Sequence, residues 1–151
     1  MGKKTWREKL QGGERKVVED PKARGLMLIP KPLDLDELIR RVPRGKLVTV
    51  EALRAYLARK FGADFTCPLV TGIFLRIVAE AAEEELREGR DLSEITPWWR
   101  VVKGDGSLNP KFPGGTSRQA QRLEAEGHEI LPPRGKRPPK VQEVAAALYE
   151  L

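Results

Sequence analysis

Two adjacent tryptophans stand out in the stretch Pro97-Trp98-Trp99-Arg100-Val101-Val102. Indole has an N–H donor and no basic lone pair, so the pair supports neither nucleophilic attack nor proton relay. It offers area instead: a face on which an unpaired base stacks, worth about 1–3 kcal/mol per base, and a donor for an oxygen at its rim. The alternative is that both are ordinary core residues at the edge of a strand, a reading that suits Trp99 better than Trp98. Other reactive groups are scarce. One cysteine, Cys67, excludes an internal disulfide and a multi-cysteine zinc site. Because Pro68 follows it at a helix start, where partial positive charge favours a thiolate, Cys67 stays open as an alternative nucleophile. The single histidine, His128, next to Gly127, lacks partners for a metal or a Ser-His-Asp triad and reads as an exposed turn residue. No metal or cofactor is expected.

The segments that must position these residues are mainly helical. Asp34 is expected to cap a helix carrying Leu35, Leu38, Ile39 and Val42 at helical spacing, ended by Pro43-Arg44-Gly45. Thr49 is expected to cap the next, through Lys60, with Val50, Leu53 and Leu57 inward. Pro68, suited to a first helical turn, opens the longest helix. Its predicted core stripe is Val70, Ile73, Phe74, Ile77, Val78 and Ala81; Leu69, Thr71, Gly72 and Arg76 begin the opposite face. Three helices in this order suit a helix-turn-helix or winged-helix plan. A short strand over residues 99–102 with the turn Gly104-Asp105-Gly106 predicts a β-hairpin or wing. Asn109-Pro110-Lys111-Phe112-Pro113-Gly114-Gly115 is a loop, and Thr116 is expected to cap a helix reaching Glu126, stopped by Gly127.

Three regions follow from this: a basic arm (1–32), a domain (33–131), and a basic, proline-rich linker with a C-terminal helix (132–151) presenting Val144, Leu148 and Leu151. Within the arm, residues 5–10 predict a short helix pinned by Trp6, and residues 26–29 an extended piece. The chain has 151 residues, 40% hydrophobic and 33% charged, as soluble globular domains do. No apolar run is long enough to span a bilayer, and Met1-Gly2-Lys3-Lys4 leads into charge rather than a signal peptide, so a cytoplasmic protein is expected. The net charge is +6. It is unevenly spread, with basic residues in the arm and over 134–140 and an acidic run over 80–94. A polyanionic partner would be drawn to the former and repelled by the latter.

Three blocks carry a family resemblance. Val42-Pro43-Arg44-Gly45-Lys46-Leu47-Val48-Thr49, the tryptophan stretch, and Pro113-Gly114-Gly115 with Gln121 and Leu123-Glu124-Ala125-Glu126-Gly127-His128 match in order and spacing. Over roughly residues 33–130 the chain resembles the DNA-binding domain of the O6-alkylguanine-DNA alkyltransferases. In that family a Pro-Cys-His-Arg-Val signature supplies an acceptor cysteine and a relay histidine. The resemblance puts Trp98 at the cysteine and Trp99 at the histidine, which removes both halves of the transfer chemistry. Tryptophan in place of that cysteine resembles the alkyltransferase-like proteins, which bind O6-alkylguanine and pass it to excision repair.

The resemblance implies a base-binding set of Trp98, Trp99, Leu69, Thr71, Gly72, Arg76, Lys111, Pro113, Gly114 and Gly115, with structural roles for Arg100 and Glu126. Two positions depart from the family. Val50 stands where a tyrosine rotates the target phosphate, and Leu69 where an arginine fills the gap left by a flipped base. An apolar wedge fills a stack but makes no hydrogen bond to the orphaned base. The expected partner is double-stranded DNA, with an excision-repair protein downstream, and the expected state is a monomer. Two other readings stay open: a transferase acting through Cys67, and an interaction or RNA-binding module with the tryptophan pocket closed by packing.

Overall fold

The computed structural model describes residues 4–151; the charged start Met1-Gly2-Lys3 lies outside the described residues. The fold is mainly helical with three small sheets. The arm contributes helix α1 (Trp6–Leu10) and strands β1 (Lys16–Glu19) and β2 (Leu26–Ile29), paired antiparallel. Its α1 is capped by Thr5, whose hydroxyl accepts from the Glu8 amide while the Glu8 carboxylate returns to the Thr5 amide. This arm is packed into the protein. Leu10 and Leu28 belong to the main hydrophobic core, and β2 pairs in parallel with β4 (Phe65–Thr66).

Helix α2 (Pro32–Ile39) begins earlier than predicted. Pro32 supplies a helical φ at the first position, so Lys31 becomes the cap and Asp34 the third helical residue. Asp34 still serves the helix start, its carboxylate accepting from the Lys31 amide at 2.8 Å. It also holds both ends of the Arg15 guanidinium at 3.0 and 2.6 Å, which fastens the arm to the domain. Strand β3 (Val48–Thr49) runs into α3 (Val50–Lys60), capped by the Thr49 hydroxyl as expected. Val50 is half-buried against the core.

Helix α4 (Pro68–Arg87) is the longest. Of the predicted stripe, Val78 and Ala81 are buried and Val70, Phe74 and Ile77 half-buried, whereas Ile73 is 52% exposed; Thr71, Leu75, Ala79 and Ala82 complete the inner face. A polar residue lies on that inner face because the Thr71 hydroxyl donates to the Cys67 carbonyl one turn back, at 2.7 Å. An apolarity count could not see this satisfied hydroxyl.

After α4 the chain makes a 3-10 turn, Trp98–Arg100, before β5 (Val101–Val102), which pairs in parallel with β3. The strand expected over residues 99–102 is therefore half turn. No hairpin forms at Gly104-Asp105-Gly106. The chain turns there, the Lys103 amide donating to the Ser107 carbonyl at 3.0 Å, and then meets the C-terminal segment through Leu108 and Pro139. Helix α5 (Gly115–Ala125) starts one residue before Thr116, with Gly114 as its left-handed cap at φ 76°. The fold's second antiparallel hairpin is β6 (Ile130–Leu131) with β7 (Lys140–Val141), and the stretch expected as a linker is its basic loop. The predicted C-terminal helix is reduced to one turn, α6 (Val144–Ala147). Beyond it the backbone extends along Leu47, whose N–H donates to Ala147 and whose carbonyl accepts from Tyr149. No described helix is long and apolar enough to cross a membrane.

Candidate nucleic-acid interface

The 3-10 turn after Pro97 drives both tryptophans inward, leaving Trp98 0% and Trp99 3% exposed. The rings meet edge to face with centroids 5.9 Å apart, and Phe112 covers Trp98 at 5.1 Å. Each indole N–H is consumed by a carboxylate. Trp98 Nε1 donates to Glu83 Oε2 at 3.1 Å, and Trp99 Nε1 to Glu126 Oε2 at 2.8 Å. Read from the sequence as a candidate stacking face for an unpaired base, the two tryptophans are packed inside the protein with both N–H groups engaged.

The carboxylates are themselves compensated, as buried charges must be. Arg122 grips Glu83 through two nitrogens at 2.6 and 2.7 Å, and Arg118 adds a third contact at 3.2 Å. The Arg122 guanidinium also lies 5.3 and 4.9 Å from the ring centroids of Trp98 and Trp99. Burial by itself would raise the Glu83 carboxyl; bonds from Arg122 and Trp98, with the charge of Arg118, bring it below the usual carboxylate range. Glu126 behaves alike: burial is outweighed by bonds from Arg100, Trp99 and the Gly45 amide. Arg100 spans from Glu126 to the Val42 carbonyl at 2.7 Å, tying the turn to the chain leaving α2. Gln119, fully buried, donates to the Trp99 and Val101 carbonyls and accepts from the Asn109 amide.

Glu83, Arg118, Arg122 and Phe112 escaped the sequence reading. Arg118 and Arg122 are four apart on one helix, a visible signal, but nothing local pairs them with a glutamate 35 and 39 residues away. Thr71 leaves the predicted contact set: it is 0% exposed with its hydroxyl bonded to Cys67. Cys67 sits at the N-terminus of α4. Glu83, which holds Trp98, lies 16 residues further on, about 24 Å along the helix, so this thiol cannot stand in for the acceptor at the tryptophan site. His128 is half-buried, not exposed, and its Nε2 is buried without a hydrogen-bond partner. Among the described residues no cluster of three or more His, Cys, Asp or Glu could hold a metal ion.

Of the remaining predicted residues, Arg76, Lys111, Pro113 and Gly114 line one groove. Leu69 is 73% exposed on α4, with Gly72, Ile73 and Arg76 following on the same side. A groove of about 420 Å³ borders this face, lined by Arg76 and Glu80 from α4 and by Pro110, Lys111, Phe112, Pro113 and Gly114 from the loop before α5. Phe112 is shared between groove and interior, so Trp98 lies one layer beneath. Gly114 is required here. Its φ is positive, and a Cβ there would come within 2.7 Å of the Arg118 Cβ. Gly115 follows as the first residue of α5.

Helices α3 and α4, with the outer face of α4 exposed beside the loop that carries Lys111, follow the helix-turn-helix plan of a DNA-binding domain. The chain belongs to the family described as 6-O-methylguanine DNA methyltransferase, DNA binding domain, which matches residues 35–128. No curated protein sequence matches the chain. Among solved structures, it is similar to that of S. pombe Atl1 in complex with damaged DNA containing O6-carboxymethylguanine. The TM-score is 0.52 at 19% identity, over 80% of this chain and 94% of that one. A second, S. pombe ATL in complex with DNA, gives 0.49 at 19% identity over the same shares.

Proposed function

We propose that this protein is a non-enzymatic DNA-binding member of its family that recognises O6-alkylguanine or a related altered base in duplex DNA and marks it for repair. The observation that carries this reading is the acceptor position. Trp98 fills it, and its N–H is committed to Glu83, while the exposed face of α4 and the adjoining groove remain open. S. pombe Atl1, similar in fold, is bound to DNA containing O6-carboxymethylguanine, which supports the choice of ligand. With the interior closed, the altered base is read at the groove. Phe112 provides its apolar floor, Arg76 and Lys111 its cations, and Leu69 the wedge that props the stack open. The protein acts as a cytoplasmic monomer and passes the lesion to an excision-repair partner.

The sealed tryptophan cluster also favours a second reading, a scaffold reused for protein or RNA contact. One titration separates the two. Short duplexes with O6-methylguanine or guanine at one position are titrated at two salt concentrations against wild type, Leu69→Ala and Arg76→Ala. Preferential binding to the lesion, weakened in both variants, supports the sensor. Equal, salt-sensitive binding to both duplexes leaves a general nucleic-acid binder, and no binding to either moves the assignment to the reused scaffold.

A further inference from the structure

The N-terminal arm lies outside the part of the chain that matches the family, and the proposed DNA face gives it no task. Its contacts with α4 are nonetheless specific. Glu84 accepts from the Trp6 and Arg7 amides at 3.1 and 3.2 Å, joining the start of α1 to the side of α4. Arg7 continues to Glu88, binding both carboxylate oxygens at 2.6 and 2.7 Å. Trp6 is half-buried, with Lys9 Nζ 4.2 Å and the Arg76 guanidinium 5.7 Å from its ring. Arg76 in turn shares its groove with Lys111. Lys9, Arg76 and Lys111 are all exposed, and among the described residues none lies within ion-pair distance of a carboxylate.

We infer that the arm completes the nucleic-acid face: Lys9 of α1, seated over the Trp6 ring, forms with Arg76 and Lys111 a ridge of cations for the phosphodiester backbone of the bound duplex, and Arg7 offsets part of the charge of Glu84 and Glu88 that would repel it. This rests on the duplex-binding reading above. The acidic run of α4 would otherwise face a polyanion along the same helix that presents Leu69 and Arg76. Glu83 is compensated from inside by Arg118 and Arg122, and the single charge of Arg7 offsets half that of Glu84 and Glu88 from outside. Glu80 is the one carboxylate lining the groove itself. Lys9 and Arg76 share the Trp6 ring and Arg76 shares its groove with Lys111, and a phosphate along this line would be attracted by all three cations, with only Glu80 of the groove opposing it. Each lysine or arginine on a phosphate releases a counterion, so its removal lowers the salt slope of binding by about one.

The test is fluorescence anisotropy with an undamaged labelled duplex, followed from about 50 to 200 mM salt. Lys9→Ala, at an exposed position, is expected to weaken binding roughly fivefold at low salt and to reduce the log–log slope by about one. Glu80→Gln is expected to tighten binding. Arg7→Ala weakens it, and neutralising the unmasked carboxylates in Arg7→Ala/Glu84→Gln/Glu88→Gln restores it. If wild type binds duplex with an affinity and slope that Lys9→Ala and Glu80→Gln leave unchanged, the inference is overturned and the proposed function stands. Failure of the triple variant to recover affinity overturns the masking role of Arg7. If wild type binds neither this duplex nor the same duplex carrying O6-methylguanine, both readings fall together.

Discussion

Burying a carboxylate costs several kcal/mol unless cations and donors surround it, and Glu83 meets that condition with two arginines and an indole N–H. Its three ligands differ in what they contribute. Arg118 is 43% exposed, so solvent screens its share, whereas Arg122 is 14% exposed and stacked against both tryptophans. Trp98 contributes a neutral hydrogen bond and most of the packing volume. Removing the carboxylate should therefore hurt more than removing the indole donor. Glu83→Gln is expected to cost about 3 kcal/mol, because it leaves Arg122 partly buried without its counter-charge. Trp98→Phe, which keeps an aromatic ring, is expected to cost about 2 kcal/mol. Urea denaturation of both variants checks the order; a larger loss in Trp98→Phe would mean that packing, not charge, holds the cluster.

Along α4 the two faces obey different requirements. The inner face is closed by Leu75, Val78, Ala79 and Ala82, with Thr71 satisfied by its own helix. The outer face carries a glycine where a helix gains nothing from one. Gly72 is exposed, and a Cβ built there meets no atom within 4 Å. Glycine inside a helix costs about 0.5–1 kcal/mol relative to alanine, so the fold would be more stable without it. Under the proposed function, a smooth surface for close approach of the duplex is the compensating gain. Gly72→Ala is expected to raise unfolding stability by about 0.5–1 kcal/mol while weakening duplex binding. Chemical denaturation and anisotropy on one preparation measure both, and a stabilised variant with undiminished affinity would remove Gly72 from the interface.

Across the whole molecule, acid should unfold the protein in two stages. His128 sits half-buried, and desolvation holds its pKa below the ordinary value against the opposing charge of Glu126. The folded state thus favours neutral imidazole. The associated stability is complete above the unfolded pKa of about 6.5 and is lost as pH falls through the lower folded value. The carboxyls of Glu83, Glu126 and Asp34 are also held below their ordinary values. In each, burial alone acts upward and is outweighed by bonds and charge, chiefly from Arg122, Arg100 and Arg15 respectively. Their stabilisation is complete above about pH 4 and disappears as pH falls through the depressed values. Thermal melts from pH 8 to pH 3 should show an early decline below about pH 6.5 and a steeper one below about pH 4. His128→Gln is expected to abolish the first and leave the second.

The same global view separates what the sequence alone determined from what tertiary structure decided. Local rules were enough for the Thr49 cap, the Pro68 helix start, the short helix ending at Leu10 and the extended stretch Leu26–Ile29, because each depends on residues within a few positions. Motif order in sequence was enough for the family. Neighbouring residues also decided two smaller points against expectation: Pro32 moved the start of α2 ahead of Asp34, and Gly114 moved the start of α5 ahead of Thr116. Long-range packing settled the rest. Apolarity placed Ile73 inward and Thr71 outward, but a hydroxyl satisfied by its own helix is readily buried and an isoleucine is not obliged to be. A basic, proline-rich stretch reads as a linker until Lys140 and Val141 find Leu131 and Ile130 across the loop. Whether Trp98 opens to a ligand or seals the interior depends on Glu83, Phe112 and Arg122 arriving from three other segments. Burial of a side chain is a property of the atoms that surround it, and those atoms come together only when the whole chain has folded.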